Sequence, residues 1–195
     1  VSQREAVASR VRDPERGAKI LNAAAELFAE RGYHSVSMAE VGQAAGIVGS
    51  GIYRHFDSKY AVLVALLEDV MTRLLASTDT IIDDHADSST TMDRLVATQI
   101  DFCLDSSLHV LLYRRELHSL KVEDGRRLRR MQRRYNEEWV STLLELRPEL
   151  DDAAARSLVY AAIGAIQSVV SYRSGRTRDE ESAWLAAVAK NCLAT

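Results

Sequence analysis

The sequence predicts an all-α protein, with a short three-helix unit at the N-terminus and a larger helical region after it. Three observations carry that prediction. The 195 residues include only two prolines, so long helices run unopposed. Apolar residues recur at helical spacing along most of the chain, with no alternating strand pattern and no internal repeat. The helical stretches are punctuated by capping residues and glycines.

The first helix is read from "DPERGAKILNAAAELFAERG". Asp13 is the expected N-cap, Pro14 takes the first helical position, and Glu15 faces the positive end of the helix dipole. Ile20, Ala24, Leu27 and Phe28 form its apolar stripe, and Gly32 ends it. The second helix, in "SVSMAEVGQAAG", opens on Ser37 and Glu40, spaced as a capping box, and stops at Gly46. The glycine-rich "GIVGSGIYRHF" predicts a third short helix closing near Phe56. A long helix, "DSKYAVLVALLEDVMTRLLAS", starts at Asp57 or Ser58. It is apolar nearly all round at first, which predicts that it is sandwiched between other helices. The clearest polar break is "DHADSSTT", residues 84–91. Further helices are predicted over about 91–105, 107–119, 122–147, 152–174 and 179–194, with Pro148 separating the third of these from the fourth. A domain boundary near residue 60 gives a head, 1–60, whose first twelve residues read as an arm, and a body, 61–195.

Composition narrows the function. The apolar and charged fractions suit a soluble globular protein with a real core. The net charge of −3 argues against a general nucleic-acid binder. Two cysteines, Cys103 and Cys192, make neither a disulfide framework nor a metal cluster, which points to a reducing cytoplasm. No apolar run is expected to span a bilayer, and the first residues lack a signal peptide's apolar core. The histidines show no metal-ligand spacing, and no cofactor is expected. Cys103 and His109 fall on different faces of any continuous helix, so the chain does not read as an enzyme.

Gly46, Gly49 and Gly51 raise the possibility of a phosphate-binding loop. The spacing matches neither the dinucleotide fingerprint nor the P-loop, and the segment before it is helical rather than a strand. Three helices of falling length, the last two joined by a tight glycine turn, fit a helix-turn-helix instead.

Residues 18–67 carry a Leu-Phe-Ala-Glu-Arg-Gly-Tyr element, an Ala-Ala-Gly turn, a Tyr-x-His-Phe close and a Ser-Lys helix start. Together these resemble the DNA-binding domain of the tetracycline-repressor (TetR) family. The resemblance implies a ligand-responsive regulator, a repressor by default, that binds a palindromic double-stranded operator as a homodimer. It implies DNA contacts from Ser37, Met38, Val48, Gly49, Ser50, Gly51, Tyr53, Arg54, His55 and Lys59. Tyr53 and His55 match the family's phosphate contacts. Lys59 starts a helix, where an ammonium and free N–H groups suit a phosphate. Tyr33 and Phe56 read as core, and His34 as surface. The chain departs from the family's usual Ser-Lys-Gly-Thr, having Val48-Gly49-Ser50-Gly51 there. Few side chains remain for base edges, which leaves Ser50, Arg54 and an apolar contact from Val48. A second reading is therefore a helical partner-binding protein whose head has lost function.

The body is expected to supply an effector pocket and a dimer surface. Pocket candidates are Phe102, His109, Tyr113, Tyr135, Trp139 and Gln167, with only two or three expected to line a cavity. Dimer candidates are Leu158, Ala161, Ala165, Ser168, Val169, Trp184 and Val188 on the last two helices, where small residues allow close backbone approach. The arginine-rich "GRRLRRMQRRYNEEW" reads first as a solvated helix face. Its other reading is a patch for the phosphates of an acyl-CoA, by loose resemblance to family members that respond to such compounds. The effector class is accordingly apolar or acyl-CoA-like. No membrane partner is expected.

Overall fold

The computed structural model describes residues 14–47, 49–172 and 174–195. The arm, the Asp13 cap and Val48 lie outside the described residues. Eight α-helices are described: α1 (Pro14–Arg31), α2 (Met38–Ala44), α3 (Lys59–Asp83), α4 (Ser88–Asp105), α5 (Ser107–Glu116), α6 (Val122–Leu146), α7 (Asp152–Gln167) and α8 (Arg178–Ala194). Short 3₁₀ segments at Gly49–Arg54, Leu117–Ser119 and Ser168–Val170 complete the described helical structure. The chain divides into two compact units, Val1–Leu63 and Val64–Thr195.

In the first unit α1 packs on α2, and α2 on the 3₁₀ segment Gly49–Arg54. Ile20, Ala24 and Phe28 face inward from α1, against Val36, Val41 and Ile52. Ser37 caps α2: its hydroxyl accepts from the Glu40 amide at 3.2 Å, and the Glu40 carboxylate accepts from the Ser37 amide at 2.8 Å. Gly46, at φ +70°, turns the chain out of α2 in a conformation that L side chains resist. Ser58 caps α3 by accepting from the Ala61 amide.

In the second unit α7 lies along α8, and α4 touches α6, α7 and α8. The α6 core is anchored by Leu128, Trp139 and Leu143. Arginines tie the helices together at the surface. Arg127 reaches Glu68 at 3.2 Å and Asp124 at 3.1 Å, Arg134 reaches Asp79 at 2.6 Å, and Arg156 grips Glu137 at 2.5 and 2.8 Å. Exposed pairs of this kind contribute little each, about 0–1 kcal/mol.

Helix α3 is apolar at every position over 60–67, and its buried residues Val62, Leu63, Leu66, Leu67, Val70, Met71, Leu74 and Leu75 continue as one stripe with Glu68, Asp69 and Arg73 outside it. Two sequence expectations need correction. The predicted helix over 152–174 leaves α geometry at Ser168, whose hydroxyl donates to the Ala165 carbonyl at 2.7 Å. One apolar run does reach bilayer-spanning length: residues 152–170 have mean hydropathy 1.4. Only 28% of that window is buried, because the helix carries two apolar faces and only one points into its own core.

Candidate nucleic-acid interface and effector cavity

The third short helix, after the α2 turn, takes 3₁₀ form over Gly49–Arg54. Gly49 sits at φ +61°, a left-handed conformation that no α-helix continues through. Gly51 is packed so closely that a Cβ there would stand 2.8 Å from the Ile47 side chain. The segment is pinned by Ile52, which is 1% exposed, and by amides of His55 and Phe56 that both donate to the Ile52 carbonyl. Gly42 in α2 lies against it, its Cβ position 3.6 Å from the Ile52 Cβ, an ordinary contact distance.

With Ile52 inward, its neighbours turn out. Ser50 and Arg54 are exposed, and Tyr53 is 54% exposed, which makes it a surface aromatic rather than core. The Arg54 guanidinium makes no ion pair or side-chain hydrogen bond among the described residues. His55 is half-buried beside it. Six consecutive positions thus present a hydroxyl, bare backbone, a phenol, a guanidinium and an imidazole.

Other expected contacts have different work. The Lys59 ammonium donates to the carbonyls of Tyr33 at 2.8 Å, His34 at 3.0 Å and Val36 at 2.7 Å. It also sits 4.7 Å from the centroid of the Tyr33 ring. All three of its protons are committed, so the expected phosphate contact is replaced by a clamp on the α1–α2 loop. The Ser37 hydroxyl gives its one proton to the Glu40 carboxylate at 2.7 Å, leaving none for a phosphate. Met38 is 8% exposed and belongs to the head's core, because it opens α2 on the face turned towards α1.

Glu40 is the electrostatic hub of this end of the head. Hydrogen bonds from the Ser37 hydroxyl and amide, then from Arg31, hold its carboxyl down at about 2. Arg31 lies 2.7 Å away and ties the end of α1 to α2.

The second unit encloses a cavity of about 190 Å³ among α3 to α7. Val70, Met71, Leu74, Val110 and Ile163 give it apolar walls, with Gln99, Tyr113, Gln132, Tyr135, Asn136, Tyr160, Gly164 and Gln167 completing the lining. Of the six sequence candidates, Tyr113, Tyr135 and Gln167 line it. Phe102 does not, because its ring lies under the Arg73 guanidinium at 4.8 Å. His109 stands off half-buried near Asp69 and Arg73, its pKa lowered by burial. Trp139 is fully buried in packing one turn below Tyr135. The sequence reasoning missed Gln99, Gln132 and Asn136. Their signal was present: each is a carboxamide standing where the helix period demands an apolar side chain.

Inside the cavity Tyr135 donates to the Gln99 carbonyl oxygen at 2.5 Å, and Gln99 donates in turn to the Cys103 sulfur at 3.1 Å. Burial raises the Tyr135 phenol and pushes the Tyr113 phenol up to about 12, so both stay protonated. Burial likewise pushes the Cys103 thiol up to about 11 and makes it a poor nucleophile.

The last two helices present a second face outward. On α7, Val159, Ala162, Ile163 and Ile166 are buried, while Ala161 and Gly164 are exposed and Leu158 and Ala165 half-buried. Ser168 is exposed and Val169 half-buried just beyond. On α8, Trp184 is exposed and stacks under Arg176 at 4.9 Å, and Val188 is half-buried.

These features define a helix-turn-helix protein with a helical companion unit. The family model for "Bacterial regulatory proteins, tetR family" matches residues 20–66. Residues 20–66 thus carry the DNA-binding domain of that family of regulators. It is 30% identical over 129 residues to the HTH-type transcriptional repressor KstR2 of Rhodococcus jostii, covering 66% of this chain and 63% of that protein. The chain thus spans just under two thirds of that relative's length. Among solved structures, a TetR-family regulator from Bordetella parapertussis superposes with a TM-score of 0.79 at 22% identity, over 89% of this chain and 93% of that one. AibR, solved with isovaleryl coenzyme A and operator DNA, gives 0.73 at 19% identity over 88% and 96%. Likeness at these identities speaks to the fold.

Proposed function

We propose that this protein is a ligand-responsive transcriptional regulator in the cytoplasm, a repressor that binds a palindromic operator as a homodimer and leaves it when a small hydrophobic effector binds. The observation that carries the reading is the outward Tyr53–Arg54 pair on a segment pinned by Ile52, with no partner for the guanidinium among the described residues. Arg54 reads a base edge or a phosphate. Ser50 and the bare backbone at Gly49 and Gly51 approach the groove, and Tyr53 and His55 fix the register. Dimerisation through the outward face of α7 and α8 covers Leu158, Ala161, Ala165, Ser168, Val169, Trp184 and Val188. It sets two heads on successive major-groove faces, roughly 34–36 Å apart or a multiple of that.

The effector acts by favouring a geometry that DNA does not. Helix α3 carries Lys59 at its start and Val70, Met71 and Leu74 along the cavity, so a ligand that moves α3 acts on the head through one helix. An acyl-CoA-type effector is supported by the AibR fold and by the exposed guanidiniums of Arg126, Arg129, Arg130 and Arg133. Operator selection from random DNA with the full chain tests the reading. A recovered palindrome should lose roughly 1–3 kcal/mol of affinity with Arg54→Ala, at unchanged protein stability. Recovery of no specific sequence would leave the head without its function.

A further inference from the structure

The lining of the cavity sorts ligands by charge. Among the described residues no Asp, Glu, Lys, Arg or His lines it, although α6, which supplies three lining residues, carries six arginines. Those three are Gln132, Tyr135 and Asn136, at the spacing that puts them on one helix face. Tyr135 is already bonded to Gln99. Asn136 is only 4% exposed, and its carboxamide makes no hydrogen bond among the described residues. The Tyr113 hydroxyl on the same lining is buried with no hydrogen-bond partner among the described residues, so with Asn136 it gives the void two polar groups that no protein group meets. A void of about 190 Å³ has the volume of roughly six waters, enough for a compact organic group.

We infer that the cavity takes an uncharged ligand group, a carbonyl on a compact apolar body, with Asn136 as its hydrogen-bonding partner, and that it rejects carboxylates. This rests on the cavity being the effector site proposed above. The apolar walls, Val70, Met71, Leu74 and Ile163, take the body of the ligand. The Asn136 carboxamide donates to its carbonyl oxygen. A carboxylate entering the same place would shed its water against a lining without charge, the nearby Arg114 being held on the Gln167 carbonyl at 3.0 Å, which is unfavourable. Two sources supply such a carbonyl: a free ketone or ester, and the acyl end of a thioester whose remainder stays outside. The volume excludes a whole coenzyme A.

Four probes with the same pentyl chain on the carbonyl separate these cases: 2-heptanone, methyl hexanoate, hexanoate and hexanoyl-CoA. Each is titrated calorimetrically into the full-length protein and scored in parallel for release of selected operator DNA. The ketone and ester are expected to bind at least tenfold more tightly than hexanoate at neutral pH. Asn136→Leu, close in volume, should weaken the ketone and ester at least fivefold while leaving the melting temperature unchanged or raised. Asn136→Asp controls for shape and should weaken them further. Tighter binding of hexanoyl-CoA than of both neutral probes assigns the carbonyl to a thioester; the reverse assigns it to a free compound. Equal or tighter binding of hexanoate, no binding of any uncharged probe, or indifference to Asn136→Leu overturns the inference. Operator release by hexanoate would sink the inference and keep the effector reading. Ketone binding that weakens in Asn136→Leu without releasing operator would do the opposite.

Discussion

In the head, the polar side chains with most capacity are turned onto the backbone. Lys59 spends three donors on three loop carbonyls, and Ser37 and Glu40 close a cap on each other. In the body, the charged side chains pair at the surface while Asn136 is left buried and unbonded beside a void. The difference teaches where each unit keeps its freedom. The head keeps free side chains on its outward 3₁₀ segment. The body keeps its freedom at the carboxamide-lined cavity and on the outward face of α7 and α8. In each unit the likeliest contacts by residue type, a lysine at a helix start and aromatics in a core stripe, turn out to serve the scaffold.

The comparison breaks most sharply at Lys59. Lys59→Met strips a charge-assisted donor from three carbonyls and should destabilise the head by roughly 2–3 kcal/mol. Urea unfolding and amide exchange across residues 33–36 would register it. Intact stability with a reduced salt slope of operator binding would instead return Lys59 to the phosphates. Next comes Gly51→Ala, whose Cβ meets Ile47 at 2.8 Å. Overpacking there should cost about 1–3 kcal/mol and lower operator affinity along with stability.

Ala161→Glu sharpens the contrast from the other side. Ala161 is exposed on the outward face of α7 and off the cavity lining, so the monomer should tolerate the change within about 0.5 kcal/mol. Sedimentation should nevertheless show a weakened dimer, and an unchanged one would move the interface off this face. The smallest effect is electrostatic. The Glu40 carboxyl is held at about 2 against an ordinary 4.5, so its contribution is present above 4.5 and lost as pH falls towards 2. Amide exchange of residues 38–44 should therefore quicken over that interval, and Glu40→Gln should flatten the dependence.

Much of this architecture was legible in the sequence. The Ser37–Glu40 box, the Gly46 turn, the Ser58 start and the two faces of α7 each rest on local spacing, and local spacing is what a sequence displays. The roles of Lys59 and Met38 were not legible. Both depend on where α1 and the 33–36 loop lie, which is a tertiary fact. The 3₁₀ form of residues 49–54 was half legible. Two glycines announced a weak α-helix, but only the Gly51–Ile47 approach shows why it tightens. In the cavity, residue type favoured aromatics, whereas packing consumed Phe102 and Trp139 and left carboxamides facing the void.

The Lys59 clamp also marks a seam for grafting. Transplanting a different operator preference into this scaffold requires exchanging Ser50, Tyr53 and Arg54 while keeping Ile47, Gly51 and Ile52 as their footing. Residues 33–36 and Lys59 form one module that travels together or stays behind together, since neither half holds its shape alone. Comparisons among relatives that score position 59 as part of an operator code would mistake a loop fastening for a letter of that code.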